Sequence, residues 1–161
     1  MDALTFQAEA MRLERLMYHI SWSLLRNTED CADAVQEALT RAWQKRASLR
    51  NPDQFKPWLM RILINQCNDM LRRRRRQNVF PLEAAGELAA EQPKESALLD
   101  TLGCLRPELR LVMVLHYLEG CTVEEIARIT RTPAGTVKSR MKRARKELGE
   151  IIAQERKEEW T

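Results

Sequence analysis

The chain has 161 residues, 44% of them hydrophobic and 31% charged, with a formal net charge of +4 and a sequence pI of about 9.0. That is enough apolar material for packed cores in one domain or two small ones, and the basic balance suits a polyanionic partner. Cysteines at 31, 67, 104 and 121 form no close pair and no Cys/His cluster, which argues against a zinc site or a disulfide framework and for a reducing cytoplasm. The opening MDALTFQAEAMRLERL has no basic stretch followed by an apolar core, and no run approaches a membrane span, so no membrane insertion is expected. Proline and glycine are scarce and β-branched alternation is absent. An all-α fold is expected.

Met11 to Leu25 carries Leu13, Leu16, Met17, Ile20 and Leu24 at helical spacing, with Tyr18 and Trp22 nearby, and reads as a core helix. Asn27 and Thr28 then offer an N-cap, and Glu29 and Asp30 put negative charge in the first turn of a second helix starting near residue 29. Its buried stripe is Cys31, Ala34, Val35, Ala38, Leu39 and Ala42, leaving Asp33, Gln36, Glu37, Thr40 and Arg41 outward. By itself that face says little, since most such faces are merely solvated. Residues 46–56, RASLRNPDQFK, break the periodicity at Asn51-Pro52 and feed a third helix through Pro57. This helix buries Leu59, Met60, Leu63, Cys67, Met70 and Leu71, and turns Trp58, Arg61, Asn65, Asn68, Asp69 and Arg72 the other way. Amides and guanidinium groups can bond base edges or phosphates, and an indole can stack on an unpaired base for about 1–3 kcal/mol. Alternatively, Trp58 closes the edge of the core under the preceding loop. Arg72 to Arg76 are five consecutive arginines, either a solvated charge run or, beside that face, a phosphate clamp.

After Gln77 the composition shifts. NVFPLEAAGELAAEQPKES is rich in Ala and Glu and has Lys94 as its only base, which reads as a flexible linker. The expected division is a helical domain over 1–76, a linker over 77–96 and a smaller helical domain over 97–161. Helical pattern resumes at Ala97, halts before Pro107, and continues as PELRLVMVLHYLEG to a stop at Gly120. Thr122 and Glu125 then have the capping-box spacing, and Val123, Ile126, Ala127 and Thr130 share one stripe. Thr132 followed by Pro133 restarts the chain as a second helix, with Thr132 as N-cap. Two short helices around a tight turn make a helix-turn-helix. On the second, Val137, Met141, Ala144, Leu148 and Ile152 form the packing stripe, while Thr136, Lys138, Ser139, Lys142, Arg143 and Lys146 occupy the remaining arc. From Arg131 to Lys146 there is no acidic residue, which suits the major groove and its flanking phosphates. The alternative is a solvated basic face on an ordinary helical hairpin.

Three stretches, DAVQEALTRAW (33–43), FKPWLMRILINQCNDMLRRRRR (55–76) and EEIARITRTPAGTVKSRMKRARKEL (124–148), occur in this order. Together they resemble the extracytoplasmic-function sigma factors, the smallest class of bacterial RNA polymerase initiation factors, which keep only the second and fourth conserved regions. The resemblance covers about Met11 to Ile152. It implies that Asp33, Gln36, Glu37, Thr40 and Arg41 bind the clamp helices of the polymerase's largest subunit, with the flap as a further contact. It implies that the loop bearing Leu49, Arg50 and Asn51, with the face bearing Trp58, Arg61, Asn65, Asn68 and Arg72, captures a flipped base of the non-template strand in the minus-ten element. Arg131, Thr136, Lys138, Ser139, Lys142, Arg143 and Lys146 would read the minus-thirty-five element. An anti-sigma protein is a further partner that the resemblance brings with it. The chain would supply no catalysis and need no cofactor or metal; capture of extruded bases offsets the few kcal/mol that unstacking costs per step. Elements roughly 25 base pairs apart at about 3.4 Å each lie ~85 Å apart, while about 20 extended residues reach at most ~70 Å. Both domains can then engage together only with the linker drawn out.

Two rival readings remain. An autonomous DNA-binding regulator would use only the helix-turn-helix and keep the N-terminal domain for dimerisation or sensing. An enzyme acting on nucleic acid has weaker support, since His19 and His116 sit on apolar-rich helices as packing residues and no carboxylate cluster suggests a metal site.

Overall fold

The computed structural model describes residues 1–77 and 93–159; most of the segment read as a linker therefore lies outside the described residues. Among the described residues there are helices and no strands, as expected.

The N-terminal body is a bundle of four helices. The single helix expected over Met11 to Leu25 is two, α1 (Ala3–Arg12) and α2 (Glu14–Leu25), parted at Leu13, whose backbone leaves the helical region. Asp2 caps α1 by accepting the Thr5 N–H at 2.8 Å. α2 is buried nearly all round, so its polar side chains need internal partners. The Ser21 and Ser23 hydroxyls donate to the Tyr18 and His19 carbonyls, at 2.9 and 2.6 Å. α3 (Thr28–Gln44) begins as its sequence dictates, with Asn27 accepting the Asp30 N–H at 3.0 Å. Its fully buried positions are Cys31, Ala34, Ala38 and Ala42, small side chains that let α4 pack close, while Val35 and Leu39 sit at the edge of the core. α4 (Phe55–Gln77) starts two residues before Pro57. A short 3-10 turn over Pro52–Gln54, capped by Asn51, leads straight into it. α4 buries Phe55, Leu59, Met60, Leu63, Gln66 and Cys67, whereas Met70 and Leu71 are only half-buried.

The C-terminal body has α5 (Pro93–Leu102), α6 (Pro107–Met113), α7 (Val123–Thr130) and α8 (Ala134–Glu159). α5 begins four residues before the resumption expected at Ala97. α6 widens into a π turn over Val114–Leu118, and Gly120 takes φ 67°, a left-handed backbone that favours glycine. Half of the expected capping box forms: Thr122 Oγ1 accepts the Glu125 N–H at 3.1 Å, while the Glu125 carboxylate turns to the Thr122 hydroxyl at 3.5 Å and to Lys56 rather than to the Thr122 N–H. Thr132, expected as the N-cap of α8, instead donates its hydroxyl to the Thr130 carbonyl at 3.2 Å. Ile129, absent from the expected stripe, is buried beside Ile126. Ile152, expected in the packing stripe of α8, is 42% exposed because the helix runs on past the body it packs against.

Three cysteines are buried, but Cys104, expected within an apolar stripe, is exposed. Burial pushes the Cys67 thiol up to about 12 and raises those of Cys31 and Cys121. Since the thiolate is the reactive form, titration of the native protein with a chromogenic disulfide at pH 8 is expected to label Cys104 in the fast phase and the other three only on unfolding. A second fast thiol would mean that one of the helical bodies opens readily.

The two bodies are packed together, α2 against α6 and its π turn, and α4 against α7. Arg110, buried in an otherwise apolar run, holds the seam. Its guanidinium donates to the Leu102, Leu105 and Gly103 carbonyls at 3.3, 2.8 and 3.4 Å and to the Ser23 carbonyl of α2. Arg26, left-handed at the end of α2 (φ 53°), donates to Gly103 O at 3.1 Å and lies 5.7 Å from the Trp22 ring centroid. A Cβ on Gly103 would fall 2.5 Å from the Arg26 guanidinium, so glycine permits this approach. His19, expected as a packing residue, is buried but bonded through Nδ1 to Glu119, which also lies 3.8 Å from Arg15. At the far end of the seam Lys56 faces Glu125 at 3.4 Å.

Candidate nucleic-acid and polymerase interface

Three surfaces can be built from the residues upward. The first is the outer face of α3. Asp33, Gln36, Glu37 and Thr40 are exposed, and Arg41 is half-buried. Arg41 bridges Glu37 at 3.2 Å and Asp69 of α4 at 3.8 Å, tying the face to the neighbouring helix. Together with Gln66, Met70 and Arg73 these five residues line an open groove between α3 and α4.

The second surface is the outer side of α4 and the loop before it. Arg50, Asn51, Asn65 and Arg72 are exposed; Trp58, Arg61 and Asn68 are half-buried. Leu49 is half-buried against the core, and Asn51 spends its side-chain oxygen on the Asp53 N–H at 3.0 Å, which fixes the loop. The Trp58 ring lies 5.9 Å from the Phe55 ring and continues an aromatic cluster through Phe6 to Trp43. It therefore closes the core edge while part of its surface stays open. Arg61 donates to the Pro57 carbonyl at 3.2 Å, and burial, with the Arg131 cation nearby, lowers its guanidinium from the ordinary value. The five arginines do not all face outward, since Arg72, Arg73, Arg75 and Arg76 are exposed but Arg74 is half-buried. Arg74 turns back to pair with Asp30 of α3, and Arg72 pairs with Asp69 at 3.3 Å.

The third surface is the helix-turn-helix. Lys138, Ser139, Lys142, Arg143 and Lys146 stand exposed along α8, with Thr136 half-buried and Arg131 exposed in the turn. Arg131 is left-handed (φ 51°) and ends α7. Ser139 bonds the Gly135 carbonyl at 3.0 Å and Arg143 pairs with Glu147 at 3.2 Å. Lys142 and Lys146 have no carboxylate partner among the ion pairs of the described residues and remain available for phosphate.

These surfaces lie within two matched segments. Residues 10–77 match the Sigma-70 region 2 family and residues 95–148 match Sigma-70 region 4. The chain is 31% identical over 132 residues to RNA polymerase sigma factor SigV of Bacillus subtilis, covering 80% of each. It is also 31% identical over 154 residues to the ECF RNA polymerase sigma factor SigM of Mycobacterium tuberculosis, covering 94% of this chain and 79% of that one. The chain belongs to the ECF sigma factors of bacterial RNA polymerase. Its fold resembles sigma factor RpoE of Bartonella quintana, solved with the anti-sigma factor NepR, at TM-score 0.80 and 28% identity over 92% of this chain and 97% of that one. It also resembles CnrH, solved with the cytosolic domain of CnrY, at TM-score 0.72, 26% identity and 95% and 90% coverage.

As a sigma factor the chain works with core RNA polymerase and promoter DNA to give initiation its sequence preference. In its closed arrangement the α3 face and the basic arc of α8 are open, but the start of α4 is packed against α7, where Lys56 meets Glu125 and Asp53, Pro57, Arg128 and Ile129 line a small cavity beside them. No helix among the described residues is long and apolar enough to cross a membrane. Gln66, Arg110 and the His19–Glu119 pair were missed by periodicity. A lone arginine inside LRLVMVLHYL was a visible signal for Arg110, because a charge in an apolar run must find buried partners.

Proposed function

We propose that region 2 of this sigma factor spans residues 1–76 and region 4 residues 97–161, with α5 beginning inside the last residues of the intervening linker. The outer face of α3, with Asp33, Gln36, Glu37, Thr40 and Arg41, binds the clamp helices of the largest polymerase subunit, and region 4 meets the flap. Leu49, Arg50, Asn51, Trp58, Arg61, Asn65, Asn68 and Arg72 receive the opened minus-ten strand. Arg131, Thr136, Lys138, Ser139, Lys142, Arg143 and Lys146 read the minus-thirty-five duplex. The chain acts in the cytoplasm and supplies binding energy rather than catalysis. An anti-sigma factor holds it in check, a reading supported by the similar fold solved with the anti-sigma factor NepR.

The observation that carries this reading is the separation, on a single chain, of an acidic-polar face on α3 from an amide- and guanidinium-bearing face on α4 and a basic face on α8. A regulator working alone needs only the α8 face, and that face is open in the closed chain. Binding of promoter duplex and of a non-template minus-ten oligonucleotide, each with and without core polymerase, separates the two. Tight oligonucleotide binding only with core is expected; tight specific duplex binding without core would favour the autonomous regulator.

Lys142→Ala is expected to weaken minus-thirty-five duplex binding and to flatten the slope of log K against log salt by about 0.9, the loss of one phosphate contact. Fluorescence anisotropy at several salt concentrations reads this directly. A changed base preference at an unchanged slope would instead make Lys142 a base reader.

A further inference from the structure

The groove between α3 and α4 contains a polar group that none of the described residues satisfies. Gln66 is 5% exposed, and its Oε1 is closed to solvent with no hydrogen-bond partner among the described residues. A buried amide oxygen is ordinarily satisfied, since the desolvation cost of leaving it bare is not recovered elsewhere. Here it lies in the wall of a groove whose other side is the α3 face, where Asp33 and Glu37 present carboxylates and the Thr40 hydroxyl donates to the Gln36 carbonyl at 3.0 Å. The cations of the groove are Arg41, held by Glu37 and Asp69, and Arg73, exposed on the next turn of α4. Asp33 forms no ion pair within the described residues, and Glu37 shares only one oxygen with Arg41. The groove therefore offers acceptors at its rim and an unfilled acceptor in its wall.

We propose that Gln66 is a specificity-determining residue for polymerase binding: a basic side chain of the polymerase enters the α3–α4 groove, meets Asp33 and Glu37 at the rim, and donates an N–H to the Gln66 amide oxygen. That oxygen is closed to solvent in the free protein, so the bond requires the terminal amide to turn toward the groove on binding. The inference rests on the polymerase-binding reading of the α3 face and extends it to α4. Two carboxylates and an amide oxygen suit a multi-donor cation, above all a guanidinium, because its fork can bond several acceptors together. The bare amide also makes the groove selective. An apolar partner group would leave it unpaired in the complex, which disfavours such a partner.

Gln66→Met conserves length and bulk while removing the unpaired amide, so the free protein should melt at an unchanged or higher temperature. Its affinity for core polymerase should nevertheless fall about 10-fold. Gln66→Glu keeps an acceptor in place; it should retain core affinity within about 3-fold of the parent and show a steeper salt dependence, as a charge facing a cation requires. Glu37→Lys is measured alongside. Loss of core affinity in Glu37→Lys but not in Gln66→Met would overturn the role of Gln66 and leave the α3 face intact. Parent-like affinity in both would overturn the polymerase reading itself. A fall in melting temperature and affinity together in Gln66→Met, unrescued by Gln66→Glu, would make the amide a packing element and overturn the proposal.

Discussion

Glu37→Lys is expected to weaken binding to core polymerase by about 10- to 100-fold, corresponding to about 1.4–2.8 kcal/mol, while leaving capture of the minus-ten strand by preassembled complex nearly intact. Glu37 is exposed on α3 and bridged to Arg41. A lysine there both repels Arg41 and reverses the charge offered to a cationic partner, and like-charge juxtaposition at an interface is costly. Asn65→Ala is the complementary case. Asn65 is exposed on α4 and is not among the residues that line the α3–α4 groove, so its loss should spare core affinity and slow open-complex formation about 10-fold, the scale of one lost base contact. Core affinity by competition and open-complex formation by permanganate reactivity separate the two; equal losses in both assays would mean that the faces are wrongly assigned.

Glu119→Arg should open the closed molecule. Glu119 accepts from buried His19 and lies near Arg15, so an arginine there leaves His19 without its carboxylate and sets two cations against each other. Arg61 and Arg131 also bring like charge together near the α4–α7 contact. A compact chain of this length has a radius of gyration of about 15 Å, and small-angle scattering should find the variant several ångströms larger. Opening also frees the start of α4. Apparent affinity for a single-stranded minus-ten oligonucleotide should then rise in proportion to the open fraction, by about 10-fold. An unchanged radius with unchanged affinity would mean that other contacts, Arg110 above all, suffice to hold the two bodies together.

The closed arrangement also bears on how the promoter is reached. Promoter elements ~85 Å apart cannot both be held while α2 rests on α6 and α4 on α7. Polymerase binding must therefore separate the bodies or select molecules already open. The carbonyl collar around Arg110 would then be hydrated on the α2 side, where Ser23 loses its donor, and would persist on the region 4 side, where Leu102, Leu105 and Gly103 remain within the same body.

What was legible in the sequence was what is local. Asn27 capping α3, Thr122 capping α7 and the alanine stripe of α3 depend on residues three or four apart, and each formed as its spacing dictates. The outward position of Asp33, Gln36, Glu37 and Thr40 followed from the same periodicity. Helix ends were less legible, because Leu13 breaks a continuous apolar pattern without proline or glycine, and Thr132 had a nearer carbonyl to bond than the helix it precedes. Partners distant in sequence were not legible at all. Ser23 and Arg110 are 87 residues apart, and His19 and Glu119 are 100 apart; only the packing of the two bodies brings them together. Gln66 fell in neither the buried nor the outward set of α4, and its burial depends on how closely the small side chains of α3 let the helices approach.

Run-off transcription with purified core polymerase and a library of upstream sequences decides whether the chain directs initiation from specific promoters. The chain is expected to start transcripts only when core is present, only from templates sharing a minus-thirty-five and a minus-ten sequence, and with a sharp preference for their spacing. Tight sequence-specific DNA binding accompanied by no core-dependent initiation from any template would contradict it.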